Sequence, residues 1–325
     1  MNRTTDLALP TIGADESYPP LVLTPRQDLA GYLISWAGRS IFFAITCISV
    51  LSILLIFAFV MYEAIPFFKQ YSIVGFLAHT DWYPQSIPPR FGALALVIGS
   101  FYVTFTSLLF AIPVGILAAV FLSEMVGKSI RSIAKPIIEV LAAIPSVAYG
   151  FFAIKVLAPW MQRHLGLPTG ANALNASLVL AIMAVPTITS VAEDAISAVG
   201  RDLREAAYSL GSTRFETTFK VVVPAAHTGI IAAVILGMMR AIGETMVVWM
   251  AAGNASQIPK PWWDLSQSIR TMTATIAGEM GETAKGSIHY HALFALGLLL
   301  LMITFGLNIL SDVLLSRNRK STGRT

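Results

Sequence analysis

Arg240 and Glu244 carry full charge inside a long apolar stretch, Ala225 to Gly253. A charged side chain at the centre of a hydrocarbon layer costs about 2.5 to 3.5 kcal/mol on insertion scales, so each must face protein or water. On a helix, their i,i+4 spacing sets them on one face, where they can pair. Two roles fit. Arg240 can offer its fork of donors to a passing oxyanion while Glu244 holds it when the path is empty, or the pair can lock neighbouring helices together. His289 and His291 alternate with Tyr290. They are too few for a metal centre and read as a hydrogen-bonded interfacial pair. Gly127-Lys128-Ser129 has the ending of a phosphate-binding loop, but Leu122 stands where that loop needs glycine, and an apolar span rather than a strand precedes it. This chain is therefore not expected to hydrolyse ATP alone or to bind a cofactor or metal of its own.

The elements that position these residues follow from the solvent. Apolar residues make up 55% of the 325, charged residues only 12%, and the mean hydropathy is +0.70, values that exclude an ordinary water-soluble domain. Nucleic-acid binding needs basic residues gathered on one solvated face, and none are gathered here. The single cysteine, Cys47, excludes an internal disulfide. About 20 apolar residues cross a bilayer, and the backbone must satisfy itself while doing so. Six stretches qualify: Ser40 to Tyr62, Phe91 to Ser123, Pro136 to Trp160, Ala171 to Val191, Ala225 to Gly253 and Ala292 to Ser311. An all-α bundle of six transmembrane helices is expected, with membrane lipid as its solvent.

Orientation follows from Lys and Arg. Arg3, Arg26, Arg39, Lys128, Arg131, Lys135, Arg201, Arg204, Arg214, Lys220, Arg317, Arg319, Lys320 and Arg324 fall on one side; Lys69, Arg90, Lys155, Arg163, Lys260, Arg270 and Lys285 fall on the other. The richer side is cytoplasmic by the positive-inside rule, which places both termini and the 201–224 loop there. Residues 1–38 read as a retained cytoplasmic tail rather than a cleaved signal, with a short interfacial helix over 24–38. Trp82, Tyr83, Trp160, Trp262 and Trp263 read as an aromatic belt at the outer interface. Gly229, Ala233, Gly237 and Ala241 form a small-residue stripe suited to close helix packing, a candidate contact with a second permease subunit.

The loop RDLREAAYSLGSTRFETTFKVVVP, from Arg201 to Pro224, is the most informative segment. Leu203, Ala206, Ala207 and Leu210 have helical spacing behind an acidic first turn, and Gly211 breaks the period. Phe215 and Phe219 then share the face of a second short run. A helix-turn-helix of this kind, offering small residues and two aromatics, suits docking into a groove of another protein.

Glu205-Ala206-Ala207, then Gly211, then Val221, Val223 and Pro224 resemble the EAA loop of binding-protein-dependent ABC importer permeases, with Val at both positions where that pattern has Ile and Leu. Stretches beginning at Phe91 (FGALALVIGSFYVTFTSLLFAIPVGILAAVFLSEM), Lys135 (KPIIEVLAAIPSVAYGFF), Arg240 (RAIGETMVVWMAAGN), Thr271 (TMTATIAGEMGE) and His289 (HYHALFALGLLL) resemble the PstC family of phosphate-importer permeases. The resemblance covers roughly residues 91–312. It implies the MetI-like type I importer fold, arranged as a 1–38 tail, a first transmembrane helix over 39–63, a transmembrane domain over 91–312 with its coupling loop at 201–224, and a 313–325 tail. It also implies a PstA-like companion permease, a PstB-like ATPase dimer that uses the ATP, and a PstS-like periplasmic phosphate-binding protein, in a bacterial inner membrane. Glu205, Ala206, Ala207, Gly211, Phe215 and Pro224 become the ATPase-coupling residues, and Arg240 and Glu244 the substrate-pathway residues. The loop from Asn254 to Tyr290 becomes a docking surface for the binding protein or a lid. Sulfate or another oxyanion remains an alternative cargo. An ion-coupled secondary transporter would also place Arg and Glu at midplane, but the coupling loop and the lack of a visible inverted repeat speak against it.

Overall fold

Long apolar runs leave the backbone no partner but itself, and the computed structural model, which describes residues 25–321, is accordingly a succession of helices. In chain order they are α1 (Pro25–Gln70), α2 (Ile73–Ala78), α3 (Leu94–Val120), α4 (Lys128–Ala142), α5 (Ser146–Phe152), α6 (Ala158–Leu165), α7 (Ala173–Ser197), α8 (Arg201–Ser209), α9 (Arg214–Glu216), α10 (Val223–Ala225), α11 (His227–Ile242), α12 (Met246–Ala251), α13 (Met272–Glu279) and α14 (Ile288–Ser321). A small antiparallel hairpin of β1 (Trp82–Tyr83) and β2 (Arg90–Phe91) lies between α2 and α3, with Trp82 opposite Phe91. Single π-helical turns follow α3 at Phe121–Met125, α5 at Ala153–Leu157 and α9 at Thr217–Val222.

Four helical stretches are long and apolar enough to span a membrane: Gly31–Gln70, Leu94–Met125, Ala173–Ser197 and Ile288–Val313. Two bent pairs bring the number to six if each counts as one span. Ser129–Ala142 and Ser146–Leu165 meet at 84°, and Arg214–Ala225 and His227–Ile242 meet at 70°. The expected unbroken span from Pro136 to Trp160 is thus corrected to a sharply bent pair. Pro145 is the cause: it has no N–H to donate and disfavours helical geometry at Ile144. The expected span from Ala225 to Gly253 is also corrected, because α11 ends at Ile242 and the chain restarts as α12 at Met246.

The chain divides into two units, residues 1–57 and 58–325. In the first, the described residues belong to the opening part of α1, whose side chains from Tyr32 to Leu55 are largely exposed. The interfacial helix expected over 24–38 is not separate, since α1 runs unbroken from Pro25; the earlier part of the expected tail lies outside the described residues. At the other end, α14 continues to Ser321, so most of the expected 313–325 tail is helical.

Within the second unit α7 is the best buried of the spanning helices, with 61% of its apolar window covered. Small residues let its neighbours approach. Gly115 of α3 and Gly237 of α11 both lie against Ile188, where a Cβ at Gly237 would come within 2.6 Å of that side chain. Gly229 faces Ala195 in the same way. The stripe from Gly229 to Ala241 therefore packs on α7 of its own chain, which corrects the expected contact with a second subunit. Thr189 completes the seam by donating to the Gly115 carbonyl at 3.2 Å.

Candidate functional site

Arg240 sits in the last turn of α11 and reaches across to the bend between α4 and α5. Its Nη2 donates to the carbonyl oxygen of Ala142 at 2.8 Å, and its Nη1 to Thr187 Oγ1 at 3.1 Å. Ala142 is the final residue of α4, so the guanidinium meets the negative end of that helix and fills a carbonyl the bend leaves without a helical donor. Tyr149 adds a tie one residue earlier, its hydroxyl donating to Leu141 O at 3.0 Å.

Glu244 does not share a helical face with Arg240. Gly243 ends α11, and the Glu244 carboxylate turns to accept the N–H groups of Met246 (3.1 Å) and Val247 (3.2 Å), capping α12. Thr273 Oγ1 holds the Glu244 carbonyl at 2.8 Å. Ser100, Thr104, Thr271 and Thr273 line a small space beside it. Among the described residues Arg240 and Glu244 form no ion pair, which corrects the expected pairing; the break at Gly243 undoes the i,i+4 geometry.

The 201–224 loop folds as its periodicity predicts. α8 ends in a Schellman turn, with Ser212 N donating to Ala207 O at 3.1 Å and Gly211 N to Tyr208 O at 2.9 Å. Gly211 takes φ +82°, a left-handed value open to glycine at little cost. Thr213 and Glu216 then form a reciprocal capping box that starts α9. Ala207 and Val222 face inward, whereas Leu203, Glu205, Ala206, Tyr208, Leu210, Phe215 and Pro224 stay exposed. The Phe215 and Phe219 rings lie together with centroids 4.6 Å apart. Because no neighbour crowds Gly211, Gly211→Val is expected to act through φ alone. It should unwind the α8 to α9 turn while leaving membrane abundance near normal, checked by limited proteolysis and immunoblot.

Two charged clusters that sequence spacing does not reveal lie in and beside this loop. Arg204 Nη2 pairs with Glu124 Oε1 at 2.7 Å, in the π turn after α3, and its remaining donors reach the carbonyls of Ile196, Val199 and Gly200. Glu193 near the end of α7 is 2% exposed and is held by Arg131 and Lys135 of α4, with Ser197 donating to it at 3.0 Å. Lys135 also meets Asp194. Glu193 lies just past the expected end of its span, so the hydropathy pattern gave no reason to weigh it.

A third cluster joins the segments between α1 and α3 and between α12 and α14. Glu279 accepts from Arg270 Nη1 (2.7 Å), His289 Nε2 (2.8 Å) and Trp82 Nε1 (3.0 Å). Trp82 is 1% exposed, so it is a core residue and not the belt anchor expected of it; Trp160, Trp262 and Trp263 are exposed. His291 meets Glu63, its Nδ1 lying 2.8 Å from the backbone oxygen, so both histidines are hydrogen-bonded. Burial works to raise the Glu279 pKa, but the bonds from His289 and Trp82 and the charge of Arg270 outweigh it, and the carboxyl titrates below its ordinary 4.5. Its contribution to stability is complete above that ordinary value and is lost as pH falls through the lowered folded-state value. Acid should therefore loosen this end of the protein. Glu279→Gln, which should cost about 2–3 kcal/mol at neutral pH, should flatten the acid limb of a melting-temperature profile.

The helical architecture, with four to six candidate membrane spans among the described residues, has counterparts among known membrane proteins. Residues 111–320 match the binding-protein-dependent transport system inner membrane component, and the chain belongs to that family of ABC transporter permeases, as a multi-pass integral membrane protein. It is 39% identical over 248 residues to the probable ABC transporter permease protein YqgH of Bacillus subtilis, covering 76% of this chain and 79% of that one. It is 35% identical over 269 residues to the phosphate transport system permease protein PstC of Pasteurella multocida, covering 77% and 82% of the two chains. Among solved structures, a bacterial ABC transporter importing the polysaccharide alginate superposes with a TM-score of 0.56 at 14% identity, over 87% of this chain and 98% of that one, which shows the shared MetI-like importer fold.

Proposed function

We propose that this chain is the PstC-type permease subunit of an ATP-driven importer of inorganic phosphate. The observation that carries the reading is the likeness to PstC proteins, 35% identity across 77% of the chain in the Pasteurella case. In this reading the chain forms the pathway with a PstA-like companion, a PstB-like ATPase dimer binds below, and a PstS-like receptor delivers phosphate from outside. The termini and α8 to α10 face the cytoplasm, and the hairpin and the loops around α13 face outward, as the distribution of Lys and Arg supports.

The coupling role falls to Glu205, Ala206, Ala207, Gly211, Phe215 and Pro224. Exposure of Phe215 and of the small face of α8 supports it, since a knob of aromatic and alanine surface fits a partner's groove. Arg240 and Glu244 belong to the pathway. Among the described residues Arg240 is bound by neutral oxygens alone, so its charge stays available to an oxyanion, which it would meet with charge-assisted bonds. Glu244 fixes the start of α12, just past the helix that carries Arg240, by accepting the N–H groups of Met246 and Val247. ATP would bind to the ATPase partner rather than to this chain.

The test is uptake of radiolabelled phosphate by phosphate-starved cells lacking the gene. Rescue by the native chain, with a co-purifying ATPase, is the expected result. Sulfate uptake rescued in its place would reassign the cargo, and transport without an ATPase would point to ion coupling.

A further inference from the structure

A cavity of about 730 Å³ lies between the hairpin, the end of α12 and the α13 region. Its walls include Trp82, Tyr83 and Trp249, and its charged lining consists of Arg270, Glu279 and Glu282. Arg270 and Glu279 neutralise each other at 2.7 Å. Glu282 has neither an ion-pair nor a side-chain hydrogen-bond partner among the described residues, so the lining carries one uncompensated negative charge.

Two further atoms sharpen the chemistry. Asn254 and Ser256 both belong to this lining; Asn254, held at φ +56° with its amide nitrogen donating to Trp249 O, has a buried Oδ1 without a partner, and Ser256 Oγ is also buried without one. Of the unpartnered donors in this lining, Arg270 Nε belongs to a group whose charge Glu279 already meets, and the Ser256 hydroxyl can accept as readily as it donates. Aromatic faces, a free carboxylate and spare acceptors together describe a socket for a cationic side chain. A phosphate dianion would meet net repulsion there.

We infer that this cavity receives a lysine or arginine side chain of the extracytoplasmic receptor, and that it is a docking socket and not a stop on the phosphate path. The inference rests on the proposed function, including the outward orientation of these loops. Charge complementarity at such a rim acts mainly on encounter and on salt dependence, while the aromatic walls fix the side chain once seated.

The experiment uses the complete complex in lipid nanodiscs and measures receptor affinity at two salt concentrations. Glu282→Gln, a substitution at an exposed side chain with no partner to lose, should weaken receptor binding about tenfold at low salt, flatten the salt dependence and leave basal ATP hydrolysis unchanged. Glu282→Lys should weaken it further, and a Lys or Arg to Glu exchange on the receptor's docking face should restore it. Unchanged affinity in both variants beside normal wild-type binding overturns the socket alone. Phosphate retained by the receptor-free wild-type complex and lost on Trp249→Ala overturns it in favour of an anion site. A wild-type complex that binds no receptor overturns the importer reading and the socket with it.

Discussion

Arg240→Gln is expected to reduce phosphate uptake to background while the protein still accumulates in the membrane at half its normal level or more. Glutamine can still donate to Ala142 O or to Thr187, so the bend between α4 and α5 keeps part of its clasp, and the loss in stability should be about 1–2 kcal/mol. What glutamine cannot supply is the fixed positive charge that the proposed pathway role requires. Arg240→Lys separates the two roles. It keeps the charge but not the fork, so it should hold abundance near normal and recover only a fraction of uptake. Uptake that merely tracks abundance across Gln, Lys and native chains would make Arg240 a clasp for the broken span and remove it from the pathway.

Reversal of the other buried cation should be equally severe. Arg204→Glu would set a carboxylate against Glu124 and against the carbonyls of Ile196, Val199 and Gly200, a cost of about 3–5 kcal/mol. We expect α8 to leave its place against the end of α3, uptake to be lost and the ATPase to co-purify poorly. Glu124→Arg combined with Arg204→Glu restores the ion pair but not the three bonds to backbone oxygen, so recovery should be partial. Full recovery would show that the pair alone anchors the loop. No recovery, with normal abundance, would show that the carbonyl contacts do.

These two arginines also mark what could and could not be read from the sequence. The spans around α3, α7 and α14 were legible because uninterrupted apolar runs have no other stable solution in lipid. The α8 turn was legible because Gly211 stops a clear helical period. The breaks at Ala143 to Pro145 and at Gly243 to Thr245 were not: hydropathy stays high across the first, and at the second Glu244 reads as a charge on a continuing helix, although Pro145 and Gly243 were in plain view. Arg240 was found as a buried charge, but its partner was misassigned because i,i+4 spacing holds only while the helix continues. The tie from Arg204 to Glu124 spans 80 residues, and the hub at Glu279 draws Trp82 from 197 residues away. No spacing rule reaches that far without a fold to supply the juxtaposition.

The π turn after α3 closes with Val126 N bonded to Phe121 O, one residue wider than an α turn. Such a turn accommodates a surplus residue without disturbing the helix on either side. Deleting one residue from an ordinary stretch of α3 would rotate all that follows by about 100° and scramble its packed face. A deletion inside Phe121–Met125 or Thr217–Val222 would instead let the turn tighten to α geometry with the flanking faces kept in phase. The two places where the 201–224 loop is tied to the bundle are thus also the places where this chain can change length without losing its register.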